Sequence, residues 1–158
     1  MSVSVTTATG SRAGSGRLTT LARAGLVLVG LGNAEVGIWG ELSPHSFYSS
    51  FPGFGHHWVA AMGPYDEHLV RDYASAEIGF AVLLVCLAIW FSERRLVLVG
   101  GLAFIAGTLP HFIYHLTTTS MLSTQDNVAS LGSFVLEMAV VAAAMRIASQ
   151  PPPDKPVP

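Results

Sequence analysis

Two histidines, His111 and His115, lie four residues apart near the end of a long apolar run, with Pro110 directly before the first. In a helix, side chains at positions i and i+4 share one face, so both imidazoles would point to the same side. Helical zinc sites present two nitrogen ligands with this spacing, and imidazole also ligates haem iron. The spacing alone does not define a metal site, because the HExxH context of metalloproteases does not accompany it.

Acidic residues interrupt the other apolar runs of the chain, at Glu35, Glu77 and Glu137. Ionisable groups inside a membrane are costly and usually have a function. At 1.5 Å per residue, Glu35 and His111 would lie roughly 7 Å below the outer boundary, Glu77 roughly 12 Å and Glu137 roughly 14 Å. We therefore expect a polar layer in the outer half of a helical bundle, with these members: Asn33, Glu35, Asp72, Tyr73, Glu77, His111, His115 and Glu137.

Three interpretations of this layer stay open. Its members can satisfy each other by hydrogen bonds between helices, which is a common role of polar residues in membrane spans. They can hold a metal ion through His111, His115, His68 and Glu137, or a haem with His68, His56 or His57 opposite the histidine pair. They can also line a small-molecule site for a lipid or a quinone, since sites between helices commonly combine apolar walls with a few polar groups.

The composition predicts that these groups are positioned by membrane helices. The chain has 158 residues, of which 51% are hydrophobic and 11% charged, whereas a soluble domain carries about 25% charged residues. A span needs roughly 20 apolar residues, and four runs qualify, at about 19–40, 69–91, 96–116 and 128–148. The sequence thus predicts an all-α, integral membrane four-helix bundle over residues 18–148, with a disordered tail at 1–17 and a Pro-rich tail at 149–158.

Several functional classes are excluded by composition. The net charge of −2 leaves no basic surface for nucleic acid. Cys86 is the only cysteine, which excludes an intrachain disulfide, a CxxC redox motif and a multi-cysteine metal site.

The basic residues predict the orientation of the bundle. Seven of the eight flank the spans on one side, and only Arg71 falls on the other: the seven are Arg12, Arg17, Arg23, Arg94, Arg95, Arg146 and Lys155. Basic residues accumulate on the cytoplasmic side of membrane proteins. We therefore expect a multi-pass protein of the cell (plasma) membrane with both termini cytoplasmic and with residues 41–68 as an exterior loop.

The loop at 41–68 is dense in aromatic residues, unlike a disordered linker. Residues 44–51 are expected to form a short helix lying on the membrane, with its rings at the depth of the headgroups. Gly53 and Gly55 allow a tight turn before His56, His57 and Trp58. This loop is expected to cover the polar layer.

The order of these features resembles that of the DoxX-like small four-helix membrane proteins. The pieces that carry the resemblance are the Pro-Phe-type segment at 42–47, the acidic and aromatic start of the second span at 71–80, and the Leu136-Glu137 pair in the last span. The resemblance covers about residues 21–147 and implies a four-helix bundle rather than one reaction. Some members of that family are linked to quinone or thiol redox complexes.

These observations favour a small membrane protein that binds a ligand or acts as an accessory subunit, with the polar layer as its site. Its expected partners are the lipid bilayer, a membrane protein or a second copy of the chain, and a lipid or quinone ligand. The alternative is a metal- or haem-dependent membrane oxidoreductase or a subunit of one.

Overall fold

A computed structural model describes residues 7–150 of the chain, and these are helical with no strand among them. Six α-helices follow in order: α1 (Thr7–Leu42), α2 (Pro44–Ser50), α3 (Trp58–Met62), α4 (Glu67–Ile89), α5 (Arg94–Thr117) and α6 (Thr124–Ala148), with a single 3-10 turn at Thr119–Met121. Helix α1 begins within the stretch predicted as a tail. Residues 1–6 and 151–158 of the two predicted tails lie outside the described range.

Four of these helices are long and apolar enough to cross a membrane: Gly16–Leu42 within α1, then α4, α5 and α6. No more than 28% of the most apolar window of any of them is buried inside the bundle. Their outward surfaces carry large apolar side chains such as Leu28, Val99 and Leu136, which are 64–69% exposed. Such surfaces need an apolar solvent, as in a multi-pass membrane protein. Over residues 7–150, the prediction of an all-α protein with four membrane-length helices is confirmed.

Helices α1 and α4 approach each other closely along a face of small residues. A Cβ atom on Gly37 would lie 2.8 Å from the Ala74 carbonyl oxygen and 2.7 Å from Cγ1 of Ile78. A Cβ on Gly40 would lie 2.7 Å from the Ala74 Cβ. Packing of this kind brings membrane helices together by van der Waals contact, because lipid supplies no hydrophobic drive between them. The close approach sets the rotation of α1 and therefore decides which of its residues face the bundle.

The interior differs between the two ends of the bundle. One end carries the tight turn at residues 90–93, and we call it the turn end; the other carries α2 and α3, and we call it the loop end. The half near the turn end is filled by an apolar core drawn from all four long helices: Ala22, Leu26, Leu84, Leu87, Ala88, Phe91, Val97, Phe104, Val141 and Ala144. The half near the loop end is packed by other buried residues, such as Phe47, Val70 and Ala74, and also holds the polar side chains.

The connection between α1 and α4 is ordered by its aromatic rings. Phe47, on α2, is 2% exposed and packs against Trp39 of α1, with ring centroids 5.8 Å apart. The Tyr48 hydroxyl donates to the Gly63 carbonyl at 2.8 Å. A turn at residues 53–55 has positive φ at each position, including Phe54 at 55°. As expected from the sequence, residues 44–50 are helical and the glycines flank a tight turn.

The connection between α1 and α4 also forms hydrogen bonds with the start of α6. The Trp58 indole N–H donates to Oδ1 of Asp126 at 2.8 Å, and Nδ1 of His56 lies 2.7 Å from the same oxygen. Asp126 is held in turn by Ser123, which caps α6 by accepting from the Asp126 N–H at 3.1 Å. These contacts keep α3 and the turn before it beside α6 at the loop end.

Candidate functional site

The histidine pair forms a direct contact on α5. Nε2 of His111 and Nε2 of His115 lie 3.1 Å apart, and the ring centroids are 4.9 Å apart. Helix α5 runs through Pro110 without a break, so the i, i+4 spacing keeps both rings on one face. Only one of the two facing nitrogens can carry the shared proton, because a hydrogen bond needs a donor and an acceptor. At least one imidazole of the contact is therefore neutral.

Aromatic side chains from two other helices enclose this pair. Phe134, on α6, packs against both imidazoles, with centroid distances of 4.9 Å to His111 and 5.3 Å to His115. Tyr73, on α4, meets the His111 ring edge-on at 5.4 Å. Three helices thus converge at the histidines, which are half-buried beside these aromatic rings.

Two carboxyl groups complete the set. Glu77 follows Tyr73 by one turn of α4, and Glu137 follows Phe134 by one turn of α6. Both are half-buried, and Tyr73 is within electrostatic reach of each. We call Tyr73, Glu77, His111, His115 and Glu137 the polar cluster. It holds five of the eight sequence-predicted site residues, and Tyr73 is the member that contacts His111 and lies within reach of both carboxyl groups.

The other three predicted members do not join the polar cluster. Asn33 is 3% exposed, but its side-chain amide donates to the Val29 carbonyl of its own helix at 3.0 Å. Glu35 is exposed on the far side of α1. Asp72 is also exposed and lies 3.5 Å from His68 at the start of α4. The layer is therefore narrower than expected and is built by α4, α5 and α6.

The residues proposed for a metal or haem are brought together only in part. His68 is 87% exposed and paired with Asp72, while His56 contacts Asp126 and His57 contacts the Ser49 carbonyl. Within residues 7–150 no group of three or more His, Cys, Asp and Glu side chains has metal-binding geometry. The His111–His115 pair supplies two adjacent nitrogens, and Glu137 is the carboxyl of the predicted set that shares their cluster. A metal or haem at these residues stays a prediction.

Sequence reasoning missed Phe134, which contacts both histidines, and Asp126, which holds the loop. Phe134 stands three residues before Glu137, and this helical spacing is a signal that places the two on one face. Asp126 is visible in the sequence as the partner of an N-cap serine, at the spacing Ser123-x-x-Asp126. Its contacts with His56 and Trp58 span about seventy residues and leave no local signal.

The polar cluster offers hydrogen-bond donors and acceptors in an apolar setting. Imidazole and phenol groups can each donate and accept, and a carboxyl accepts or, when neutral, donates. The cluster can therefore exchange its internal contacts for those of a ligand, or it can transfer a proton between adjacent groups.

Comparison of the chain with family models, with curated proteins and with solved structures gives no match. The resemblance to the DoxX-like proteins stays a prediction.

Proposed function

We propose that this protein binds an amphiphilic small molecule by its polar headgroup, which the polar cluster recognises from within the membrane. The observation that carries the proposal is the His111–His115 contact at 3.1 Å, which is flanked by Phe134 and Tyr73, with two carboxyl groups within reach of Tyr73. Ionisable groups concentrated at one point inside a membrane bundle indicate a functional site more often than a packing device.

The chemistry of the cluster narrows the ligand class. Imidazole, phenol and carboxyl groups match carbonyl or hydroxyl oxygens of a headgroup, and the rings of Phe134 and Tyr73 favour a flat or apolar body. A quinone and a lipid both combine such a headgroup with an apolar chain that can stay in the bilayer. The shared chemistry is an oxygen-bearing headgroup on an apolar body.

The orientation belongs to the same proposal. Seven of eight basic residues flank one side of the spans, which favours cytoplasmic termini in the cell membrane and an exterior loop at residues 41–68. The polar cluster would then receive its ligand from the outer leaflet. In a Cys86→Ser background, a membrane-impermeant thiol reagent added outside cells should label Ser123→Cys and leave Ser149→Cys unlabelled. Equal labelling at both positions would contradict the orientation.

Binding can be tested with full-length protein in lipid nanodiscs. A short-chain ubiquinone and menadione are titrated by calorimetry, while native mass spectrometry reports any lipid that stays bound. We expect saturable one-to-one binding of a quinone, or retention of one lipid class. Glu137→Gln should weaken the binding of quinone or lipid by about tenfold, which corresponds to the loss of one hydrogen bond.

Glu93→Gln is the matched control, because Glu93 is exposed at the turn end. It should bind as the wild type does. Failure of every quinone to bind, together with loss of all lipid on delipidation, would overturn the proposal.

A metal-dependent redox role is the second candidate, and one distance is compatible with metal binding. Two imidazole nitrogens 3.1 Å apart are close to the separation of neighbouring ligands around an ion with bonds of about 2.0–2.1 Å. Elemental analysis of purified protein should then give one metal ion per chain, removed by the double replacement of His111 and His115 with Ala. Substoichiometric metal would exclude a metal-dependent role. The absence of a Soret band in protein from haem-supplemented cells would exclude a haem-dependent one.

A further inference from the structure

Glu35 is an acidic side chain placed on the outside of the bundle at membrane depth. It lies within the apolar segment Gly16–Leu42, seven residues before its end and so about 10 Å from it along the helix. From position 26 onward, the buried residues of α1 are Leu26, Gly30, Asn33, Gly37 and Gly40, whereas Glu35 is exposed. Glu35 is two residues after Asn33 and two residues before Gly37. At about 100° per residue, its side chain is rotated by about 200° from each of them and so lies on the opposite side of the helix.

Large apolar residues surround Glu35 on the same face. Leu28, Leu31 and Ile38 are between 51% and 69% exposed, and a Cβ on Gly32 would meet no atom within 4 Å. We call Leu28, Leu31, Gly32, Glu35 and Ile38 the outward face of α1. Gly32 leaves a notch one turn from Glu35, which permits close approach of another helix.

In the part of the chain that the structure describes, no cationic side chain is paired with Glu35. Within residues 7–150 none of the chain's ion pairs or hydrogen bonds involves this carboxyl group, and the cations lie at other depths. Arg71 is at the loop end, bound to Glu41 and Glu67, and the remaining described arginines lie toward the turn end. An acidic group facing lipid is costly unless another group meets it at its own depth.

We propose that the outward face of α1 is a dimer interface in which the Glu35 side chains of two copies hydrogen-bond to each other. Copies of one chain insert in the same orientation, so a two-fold axis along the membrane normal brings identical residues together at one depth. A carboxyl group is self-complementary when one member carries the proton, since it then donates to the other. A second copy therefore supplies a hydrogen-bond partner for Glu35 at its own depth. Gly32 lets the two α1 backbones approach closely enough for this hydrogen bond to form. This inference is independent of the proposed ligand site.

Dimerisation can be measured by energy transfer between labelled copies of the full chain, diluted stepwise in lipid vesicles. Glu35→Leu should weaken the dimer by about tenfold, the value of one interhelical hydrogen bond. Glu35→Gln should retain it, because the carboxamide also donates and accepts. Gly32→Leu should weaken it by filling the notch, whereas Gly79→Leu, at a glycine on α4 that is equally open, should not.

Cross-linking locates the interface. In a Cys86→Ser background, Leu31→Cys should form a disulfide-linked dimer, and Val99→Cys, which is exposed on α5, should not. A wild type that stays monomeric at all dilutions, a Glu35→Leu variant that dimerises unchanged, or cross-linking through Val99→Cys alone would each overturn the proposal. Transfer that appears only when a different membrane protein with a basic span residue is added would assign the face to that partner and also overturn it.

Discussion

Replacing both His111 and His115 with leucine is expected to abolish ligand binding while leaving the bundle about as stable as the wild type. The two imidazoles serve each other at 3.1 Å, so removing both leaves no unsatisfied partner behind. Exchange of both members of a buried hydrogen bond for apolar groups is nearly neutral or stabilising, and the surroundings at Phe134 are already apolar. A binding site can be removed in this way without harm to the fold.

The single replacements should behave differently from the double one. His111→Leu alone leaves His115 without its partner, at a cost of about 1–3 kcal/mol in the free energy of unfolding. Adding His115→Leu should recover most of that loss, which a double-mutant cycle measures as a coupling energy. Thermal unfolding in detergent and quinone titration in nanodiscs give the two readouts for each variant.

The control is His68→Leu, since His68 is 87% exposed and outside the polar cluster, and it should change neither readout. If the double leucine variant unfolds as easily as the worse single variant, the histidines support the fold. In that case the polar cluster serves to hold the helices together by hydrogen bonds, and the proposal of a ligand site is wrong.

The second large effect is expected at Gly37, where α1 and α4 are closest. Gly37→Leu places a side chain where a single Cβ atom would already come within 2.8 Å of a backbone oxygen. The backbone of Ala74 cannot move aside as a side-chain tip can, so the two helices must separate. Overpacking costs about 1–3 kcal/mol and occasionally more, and we expect a value at the upper end, measured as a lower unfolding midpoint.

Gly79→Leu is the matched control, because Gly79 lies on α4 in open space and its replacement meets no neighbour. Both substitutions raise helix propensity by a similar amount, so any difference between them reports packing. Equal midpoints for Gly37→Leu and Gly79→Leu would show that the close approach of α1 and α4 does not hold the bundle together.

The four long helices were predictable because membrane spans leave a strong signal. Roughly 20 apolar residues with few charges can satisfy their backbone in lipid only as a helix. The number of long helices and their approximate positions in the chain therefore follow from the four apolar runs. The short helix at residues 44–50 was predictable as well, since Pro44 suits the first turn and aromatic residues follow it.

The rotation of each helix was harder to predict than its existence. Glu35 and Glu77 each interrupt the apolar part of a helix, yet Glu77 is half-buried in the polar cluster and Glu35 faces outward. An apolar surface all round a helix gives no amphipathic period from which to choose a face. The rotation of α1 is indicated by its glycines instead. Gly30, Gly37 and Gly40 mark the side of α1 that packs against α4, and Glu35 is opposite to them.

Long-range contacts of the loop left no trace in the sequence. Trp58 was predicted only as an aromatic residue of the exterior loop, but its indole N–H donates to Asp126 at the start of α6. Nothing within either segment identifies the other, because the partners are far apart in the chain. The same reason explains why Phe134 was not joined to His111 and His115 before the structure placed α6 beside α5.

Photolabelling tests the central claim most directly, since it shows where in the bundle a ligand lies. A photoreactive azidoquinone and a diazirine-bearing phospholipid are each cross-linked to the full-length protein in nanodiscs, and the labelled peptides are mapped by mass spectrometry. The proposed site predicts that one of the two labels residues 111–115 and 134–137, and that excess unlabelled ligand suppresses this labelling. Labels spread over outward residues such as Leu28, Val99 and Leu136, without protection by unlabelled ligand, would contradict it.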